Sequence, residues 1–349
     1  LFYVPIIPFC LINGISGIGT GFSCNIPSYN PSHIITYLKR KLRQEDTSSI
    51  QFVPYFEGFK GTITPMSGDT HRYLIKGLYE KMEKDKVVIT ELPIGTWTMN
   101  YLTFLEELMD GDKKSKVSTS SIIKAFVNMS TEVHVHITVT FEKGKIAELE
   151  STQDVNGING IEKLLKLTTT VSNTNMNMFN EKKQLHKYAG VEEIIDAYFD
   201  VRMHTYHKRK TAQVHSMKEH VKELTDRARF IQEVVANTID LRIFRDDNDM
   251  NCALEKKQYN KKQDKYDYLT HMPLHNMTKM RVQRLLQEKE DLMKELERLE
   301  KTELTTLWLR ELDILEQEYS KYKVARDKLL LKPTIEKVTS KPSGKNKRK

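Results

Sequence analysis

Apolar residues in the second half of the chain fall on a helical seam. Val214, Met217, Val221, Leu224, Ala228, Ile231 and Val235 step by 3, 4, 3, 4, 3 and 4 residues, an a/d pattern over about three heptads. Val282, Leu285, Leu292, Leu296 and Leu299 repeat the spacing, with Lys289 at one a position. Two seams some fifty residues apart, with no third, predict an antiparallel coiled coil closed by a small helical globule at about 236–278. Its centre, Met250–Met277, is poor in large aliphatics but holds Tyr259, Tyr266 and Tyr268. The first half alternates in shorter runs. Gly61–Ile63, Tyr73–Ile75, Val87–Thr90 and Glu132–Phe141 read as strands, with turns at Ser67-Gly68, Gly111-Asp112 and Gly144 and a helix near Thr98–Met109. Ile34–Arg43 reads as a basic helix capped by Ser28, Asn30 or Ser32, whereas residues 1–30 are dense in Gly and Pro and predict turns and short strands rather than helix. The fold class is α+β: a mixed domain, then the coiled coil with its globule.

Composition adjusts this picture little. Lys plus Arg number 55 against 47 Asp plus Glu, a net charge of +8 over 349 residues. Residues 332–349, rich in Lys, Pro and Ser, carry +6 of that and predict a disordered basic tail, which leaves +2 for residues 1–331. No apolar run reaches the roughly 18–20 residues of a membrane helix, so no membrane partner is expected. Cys10, Cys24 and Cys252 lie far apart with no Cys-x-x-Cys spacing, which suits a reducing compartment. The chain opens mid-pattern on Leu1 and reads as a piece of a longer protein.

The densest chemical signal is Asn13-Gly-Ile-Ser-Gly-Ile-Gly-Thr-Gly21. Gly14, Gly17, Gly19 and Gly21 let the backbone bend and approach a partner closely. The spacing fits neither the dinucleotide fingerprint nor the P-loop, and Phe22 stands where the P-loop needs Lys. Ile18, an isolated branched side chain expected at a turn tip, has two readings. It is a peg into its own domain, or a wedge that unstacks a base step and kinks DNA. His134 and His136 share a face of the predicted strand but lack a third ligand at metal spacing. His204 and His207 fall on a helix among Arg202, Lys208, Arg209 and Lys210, a solvated basic face.

Tyr3-Val-Pro-Ile-Ile-Pro8 followed by Asn13-Gly14 and Gly17-Ile-Gly-Thr-Gly21 resembles the segment after the catalytic tyrosine of eukaryotic-type type IIA DNA topoisomerases. Phe59-Lys-Gly-Thr-Ile63, Glu91-Leu-Pro93 with Thr96-Trp-Thr98, Leu185-His-Lys-Tyr188, Tyr198-Phe199 with Arg202, and Met272-Pro-Leu274 recur in family order over roughly residues 3–330. The resemblance implies the end of a winged-helix region (1–30), a tower domain (31–187), a coiled coil with exit gate (188–331) and a tail (332–349). It implies that Ile18 intercalates and bends the gate duplex. Asn13, Gly17, Gly19, Thr20, Trp97, Lys166, Thr168, Thr169, Thr170, Ser172, Asn173, Thr174 and Asn175 become DNA-binding candidates, the short hydroxyl and amide donors suiting phosphate oxygens.

For the full enzyme the resemblance implies a homodimer that passes one duplex through a transient double-strand break in another. Mg2+ and ATP would be bound outside this chain. The tyrosine nucleophile, which holds the cut end as a phosphotyrosine, would lie upstream, so no catalytic or metal-binding residue is expected here and the piece alone neither cuts DNA nor hydrolyses ATP. Arg72-Tyr73 imitates the family's Arg-Tyr pair but falls at a tower strand. The sequence departs from the family at Ile15, Ser16 and Phe22, and at Gly95, where relatives often carry Arg. The short tail resembles enzymes of large cytoplasmic DNA viruses, which implies the host cytoplasm, with the nucleus as the alternative. A non-enzymatic, DNA-bridging coiled-coil protein is the competing class. It requires a far longer seam and no α+β domain with a glycine loop.

Overall fold

The computed structural model describes residues 3–110, 122–244, 246–262, 264–273 and 278–330. The expected tail 332–349, the Gly111-Asp112 turn and Leu274 lie outside the described residues. Helix α1 (Phe9–Asn13) comes first and corrects the expectation of no helix before residue 30. It is one turn long, buries Leu11, and stops at Gly14, whose φ of +69° suits glycine. A hairpin of β1 (Ile15–Gly19) and β2 (Phe22–Ile26) follows. Helix α2 (Pro31–Leu42) is capped by Asn30, whose side chain accepts from Ser32 N at 2.9 Å. Pro31 occupies its first position, where a missing N–H costs nothing.

Alternation then builds two antiparallel sheets. The strands are β3 (Thr62–Met66), β4 (Asp69–Lys76), β5 (Leu78–Glu83) and β6 (Lys86–Glu91). Next come α3 (Thr98–Asp110), β7 (Ile123–Asn128) and β8 (Ile137–Phe141), then the short helices α4 (Lys145–Ser151) and α5 (Gly160–Leu164). The polar run 168–172 forms β9 (Thr168–Ser172), and β10 (Asn177–Phe179) pairs with β11 (Leu185–Lys187). One sheet has the order β3-β4-β9 and the other β5-β6-β8-β7. On the second, Val87, Ile89, Ile137, Val139 and Phe141 pack against Tyr101 and Leu105 of α3 and against Ile146 and Ile161. The strand expected from Glu132 starts only at Ile137. Side chains of Ser130 and Thr131 accept from His136 N at 2.9 Å and His134 N at 3.0 Å, drawing both histidines into a turn. His134 and His136 therefore do not share a strand face.

After residue 190 helices take over. Helix α6 (Val191–Val235) is continuous over 45 residues. The globule follows with α7 (Asp247–Lys256) and α8 (Asp267–Thr270), then α9 (Lys279–Lys301). Leu224, Ala228 and Ile231 of α6 bury against Val282 and Leu285 of α9, while Lys218 meets Glu300 at 2.7 Å, so the pair is antiparallel. The predicted seam is buried in its middle, whereas its last member, Val235, is 41% exposed. Phe230, Ile239, Leu254, Tyr259, Tyr266 and Leu269 form the globule's core. The chain then breaks at Thr302, in extended conformation, and resumes as α10 (Leu304–Leu330), whose first turns continue along α6 towards its start, an element the seam did not announce. Its Trp308 is fully buried, with ring centroids 5.1 Å from Phe199 and 5.5 Å from Tyr206.

Two compact units result. One joins the segment ending at Ile6 to Tyr198–Glu311; the other joins Ile7–Ala197 to the stretch from Leu312. In the first, three consecutive carbonyls are each taken by a different side chain: Val4 O by Arg202, Pro5 O by Tyr198, and Ile6 O by Trp308 Nε1 at 3.2 Å. In the second, the far half of α10 is tied to α2 and to residues 55–58. Lys39 bridges Asp313 at 2.7 Å and Glu316 at 2.6 Å, and the Glu57 carboxylate accepts from Tyr319 at 2.7 Å and pairs with Arg326 at 2.9 Å.

Candidate nucleic-acid interface

The glycine segment folds as a hairpin because Gly21, at φ +85°, closes a two-residue turn with Thr20. Cross-strand partners share a face. Gly17 faces Cys24 and Ile15 faces Ile26, with Cys24 and Ile26 buried, so that face looks inward. Ile18 pairs with Ser23 on the opposite face and is 94% exposed. It sits on strand β1, not at the tip, where Thr20 and Gly21 stand. The peg reading is therefore excluded: Ile18 buries nothing of its own domain. A Cβ at Gly17 would meet nothing within 4 Å, whereas one at Gly19 would lie 2.9 Å from the Phe22 ring, so the backbone is open on the Gly17 side of Ile18 alone.

The polar run after β9 lies along the outer edge of β2. Asn25 N donates to Asn175 O at 2.8 Å, and Asn175 Nδ2 donates to Ser23 Oγ at 2.8 Å. Asn177 Nδ2 donates to Ser23 O at 2.9 Å and to Asn175 Oδ1 at 2.7 Å. Phe22 meets Phe179 edge to face at 5.8 Å. Asn175, expected to offer its amide to DNA, thus has that amide engaged inside the protein. Asn173 is joined to His71 by a backbone bond and by a side-chain contact of 3.1 Å, and the Ser172 and Thr174 hydroxyls lie 2.9 Å apart.

Thr168, Thr169, Thr170 and Ser172 form the edge strand of the three-stranded sheet, paired with β4 from Lys76 to Arg72. Strand β9, from Thr168 to Ser172, spans about 13 Å at roughly 3.3 Å per residue. Two residues before it Lys166 takes a left-handed φ of +48° and lays its ammonium 4.3 Å from the centre of the Phe104 ring on α3. The same helix receives Trp97, 77% exposed, whose carbonyl accepts from Tyr101 N at 2.9 Å. The site residues therefore fall into two groups: Ile18 with Asn13, Gly17, Gly19, Thr20 and residues 173–175, and Trp97 with Lys166. Strand β9 runs between them.

Other candidates resolve differently. Tyr73 is buried on β4, donates to Phe52 O at 3.3 Å, and burial pushes its phenol up. Arg72 turns to Asp69 at 3.5 Å. The basic face expected around residue 204 is only partly solvated, because Arg202 is 6% exposed, 4.3 Å from the Tyr206 ring and 3.6 Å from Glu311. Arg209 also pairs with Glu311 at 2.7 Å, and Lys210 caps Glu300 O and Thr302 O at 2.8 Å each. His204 and His207 stay exposed. Among the described residues no three His, Cys, Asp or Glu side chains converge on a metal position. Sequence pattern alone does not single out Ser23, Asn177 or His71. Their role depends on partners far along the chain, and only the Asn-x-Asn spacing of Asn175 and Asn177 hints at it.

The chain matches the profile of the DNA gyrase/topoisomerase IV A-subunit family over residues 1–313. It is 30% identical over 344 residues to DNA topoisomerase 2 of Penicillium chrysogenum, covering 89% of this chain and 20% of that protein. To DNA topoisomerase 2 of Bombyx mori it is 38% identical over 231 residues, covering 66% and 14%. A crystal structure of the Plasmodium falciparum topoisomerase II DNA-binding, cleavage and re-ligation domain superposes with a TM-score of 0.82 at 29% identity, over 94% of this chain and 46% of that one. A mixed α+β body with an exposed glycine-rich hairpin, followed by an antiparallel helix pair, thus has the fold of the matching part of that domain. The chain belongs to the type IIA DNA topoisomerases. It spans about a fifth of the length of the Penicillium relative and less of the Bombyx one.

Proposed function

We propose that this chain is the portion of an ATP-dependent type II DNA topoisomerase that bends and guides the duplex to be cut and carries the dimeric exit gate. Ile18 supports this reading most: a branched apolar side chain, 94% exposed, on a hairpin whose backbone is open on the Gly17 side. Unstacking a base step costs a few kcal/mol. Burying an isoleucine side chain returns about 1.5–3 kcal/mol, so the wedge nearly offsets its own cost and phosphate contacts along the bent arms supply the rest. Asn13, Gly17, Gly19 and Thr20 flank the wedge. Along β9 and the turn after it, Thr168, Thr169, Thr170, Ser172, Asn173 and Thr174 offer short donors to phosphate oxygens, and Lys166 and Trp97 receive the arm at the far end. Gly95 stands where relatives often carry an Arg, which weakens that contact and its salt sensitivity. Because pyrimidine–purine steps deform at least cost, the bend favours cleavage there.

On this proposal residues 1–30 end the winged-helix region, 31–187 form the tower and 188–331 the coiled coil with the gate through which the transported duplex leaves. Two copies pair through the gate. Nucleophile, Mg2+ and ATP belong to segments outside this chain. The bridging-protein alternative calls for a seam extending well past α6 and α9, whereas a globule closes this pair. The test is Ile18→Ala in the full-length enzyme with dyes on the two ends of a gate duplex. Energy transfer should fall to the level of free, straight DNA. Affinity should change by less than about threefold, because phosphate contacts dominate it. Unchanged transfer would exclude the wedge.

A further inference from the structure

We infer that Ser23, Asn175 and Asn177 are positioning residues: a polar clasp that fixes the orientation of the Ile18 hairpin, rather than a set of DNA contacts. The inference rests on the wedge reading of Ile18 and adds what aims the wedge. Two strands of five residues joined by a tight turn are marginally stable alone in water. Strand β1 is exposed throughout and pairs along its length with β2, so the direction of Ile18 is set by whatever holds β2.

The grip falls on one residue. Ser23 is the direct cross-strand partner of Ile18. Its hydroxyl accepts from Asn175 and its carbonyl from Asn177, while the two amides bond to each other at 2.7 Å. Two residues further on, Asn25 N donates to Asn175 O at 2.8 Å, and Phe22, next to the turn, rests edge-on against Phe179. Three hydrogen bonds and one ring contact thus lock β2 from its outer edge. Strand β1 is left free to enter a groove. Asn175 and Asn177 come from the far side of the tower sequence, 152 and 154 residues away. They follow directly on β9, the strand proposed to track the DNA arm. The clasp therefore holds wedge and arm track in one fixed geometry. A wedge that pivots would insert without imposing a defined bend, because binding energy goes into ordering the hairpin.

The test uses the full-length enzyme with Ser23→Ala, with Asn175→Ala/Asn177→Ala, and with Ser23→Thr, which keeps the hydroxyl. Amide hydrogen exchange over residues 15–26 should rise about tenfold in the first two variants, as expected when buried hydrogen bonds of a local unit are lost. It should stay near wild type in Ser23→Thr. The bent fraction of the gate duplex, read by energy transfer, should fall with the hairpin exchange, while affinity shifts by less than about threefold because most phosphate contacts survive. Unchanged exchange in the Asn double variant overturns the clasp. So does faster exchange with undiminished bending, provided Ile18→Ala abolishes bending in parallel. A large affinity loss without faster exchange also overturns it, since that marks Asn175 and Asn177 as direct DNA contacts. Normal bending by Ile18→Ala instead defeats the wedge reading, and hydrogen exchange then judges the clasp alone.

Discussion

Gly61 shows how tightly a motif residue can be bound to the fold. A Cβ there would lie 2.1 Å from Lys76 O on the neighbouring strand and 2.4 Å from the Phe59 ring. The backbone of β4 cannot retreat without losing its pairing to β9, so Gly61→Ala should destabilise by about 3 kcal/mol, the upper range for overpacking. Thermal unfolding would read this as a clear drop in midpoint. A midpoint within a degree of wild type would mean that β3 shifts freely. Trp308 makes the opposite case, a large side chain in a full cage of Tyr198, Phe199 and Tyr206. Trp308→Ala should cost about 3–5 kcal/mol, and Trp308→Phe much less, since it keeps most of the packing and loses the bond to Ile6 O. Equal effects of the two substitutions would show that the hydrogen bond, not the ring stack, dominates. Ile18 was singled out by the glycines on both sides of it, but the residues alone left peg and wedge open and put it at a turn tip; its exposure and its place on β1 come from the structure. The engagement of Asn175 was not, since its partner Ser23 lies 152 residues away and nothing local marks it.

Among the elements, the helix pair was readable and the helix that follows it was not. The 3–4 spacing of Leu224, Ala228 and Ile231 is a direct projection of burial onto sequence. In α10 the buried side chains, Trp308 and Leu312, give way to surface ion pairs, so periodicity fades just where the helix matters for anchoring. The sheet strands were found in part. β8 is shorter than alternation predicts because Ser130 and Thr131 compete for backbone groups, and β9 is ambiguous in sequence because Thr and Ser suit both strands and loops. The hold on the far end of α10 carries a pH dependence. Burial pushes the Glu57 carboxyl up, but bonds from Tyr319 and Tyr55 and the Arg326 charge outweigh it and leave the group below its ordinary value. A lowered carboxylate stabilises the fold fully above the ordinary glutamate value of 4.5 and loses that contribution as pH falls through the lowered value. Cleavage by pepsin within 319–330 should therefore accelerate below that range. Glu57→Gln should be cleaved readily at any pH tested and lose the dependence; a persistent dependence in that variant would assign it to another group.

At the scale of the molecule, charge and binding separate. Residues 1–331 carry only +2 of the total +8, so on the proposed function DNA affinity in the folded body depends on where donors sit, not on net charge. Each tail lysine that meets a phosphate steepens the dependence of log K on log salt by about 0.9. Deleting residues 332–349 should flatten that dependence between low and moderate salt while leaving energy transfer across the bent duplex unchanged. An unaltered slope would mean that the tail does not meet DNA. The three carbonyls of Val4, Pro5 and Ile6 lead to a different kind of consequence. Each is the acceptor of a side chain more than 190 residues away: Arg202, Tyr198 and Trp308. A cloning junction or gene split placed before Val4 leaves this interlock whole. One placed just after Ile6 removes the acceptors of a buried guanidinium and a buried indole at a single stroke, so the first workable boundary for producing this piece of the enzyme lies upstream of residue 4.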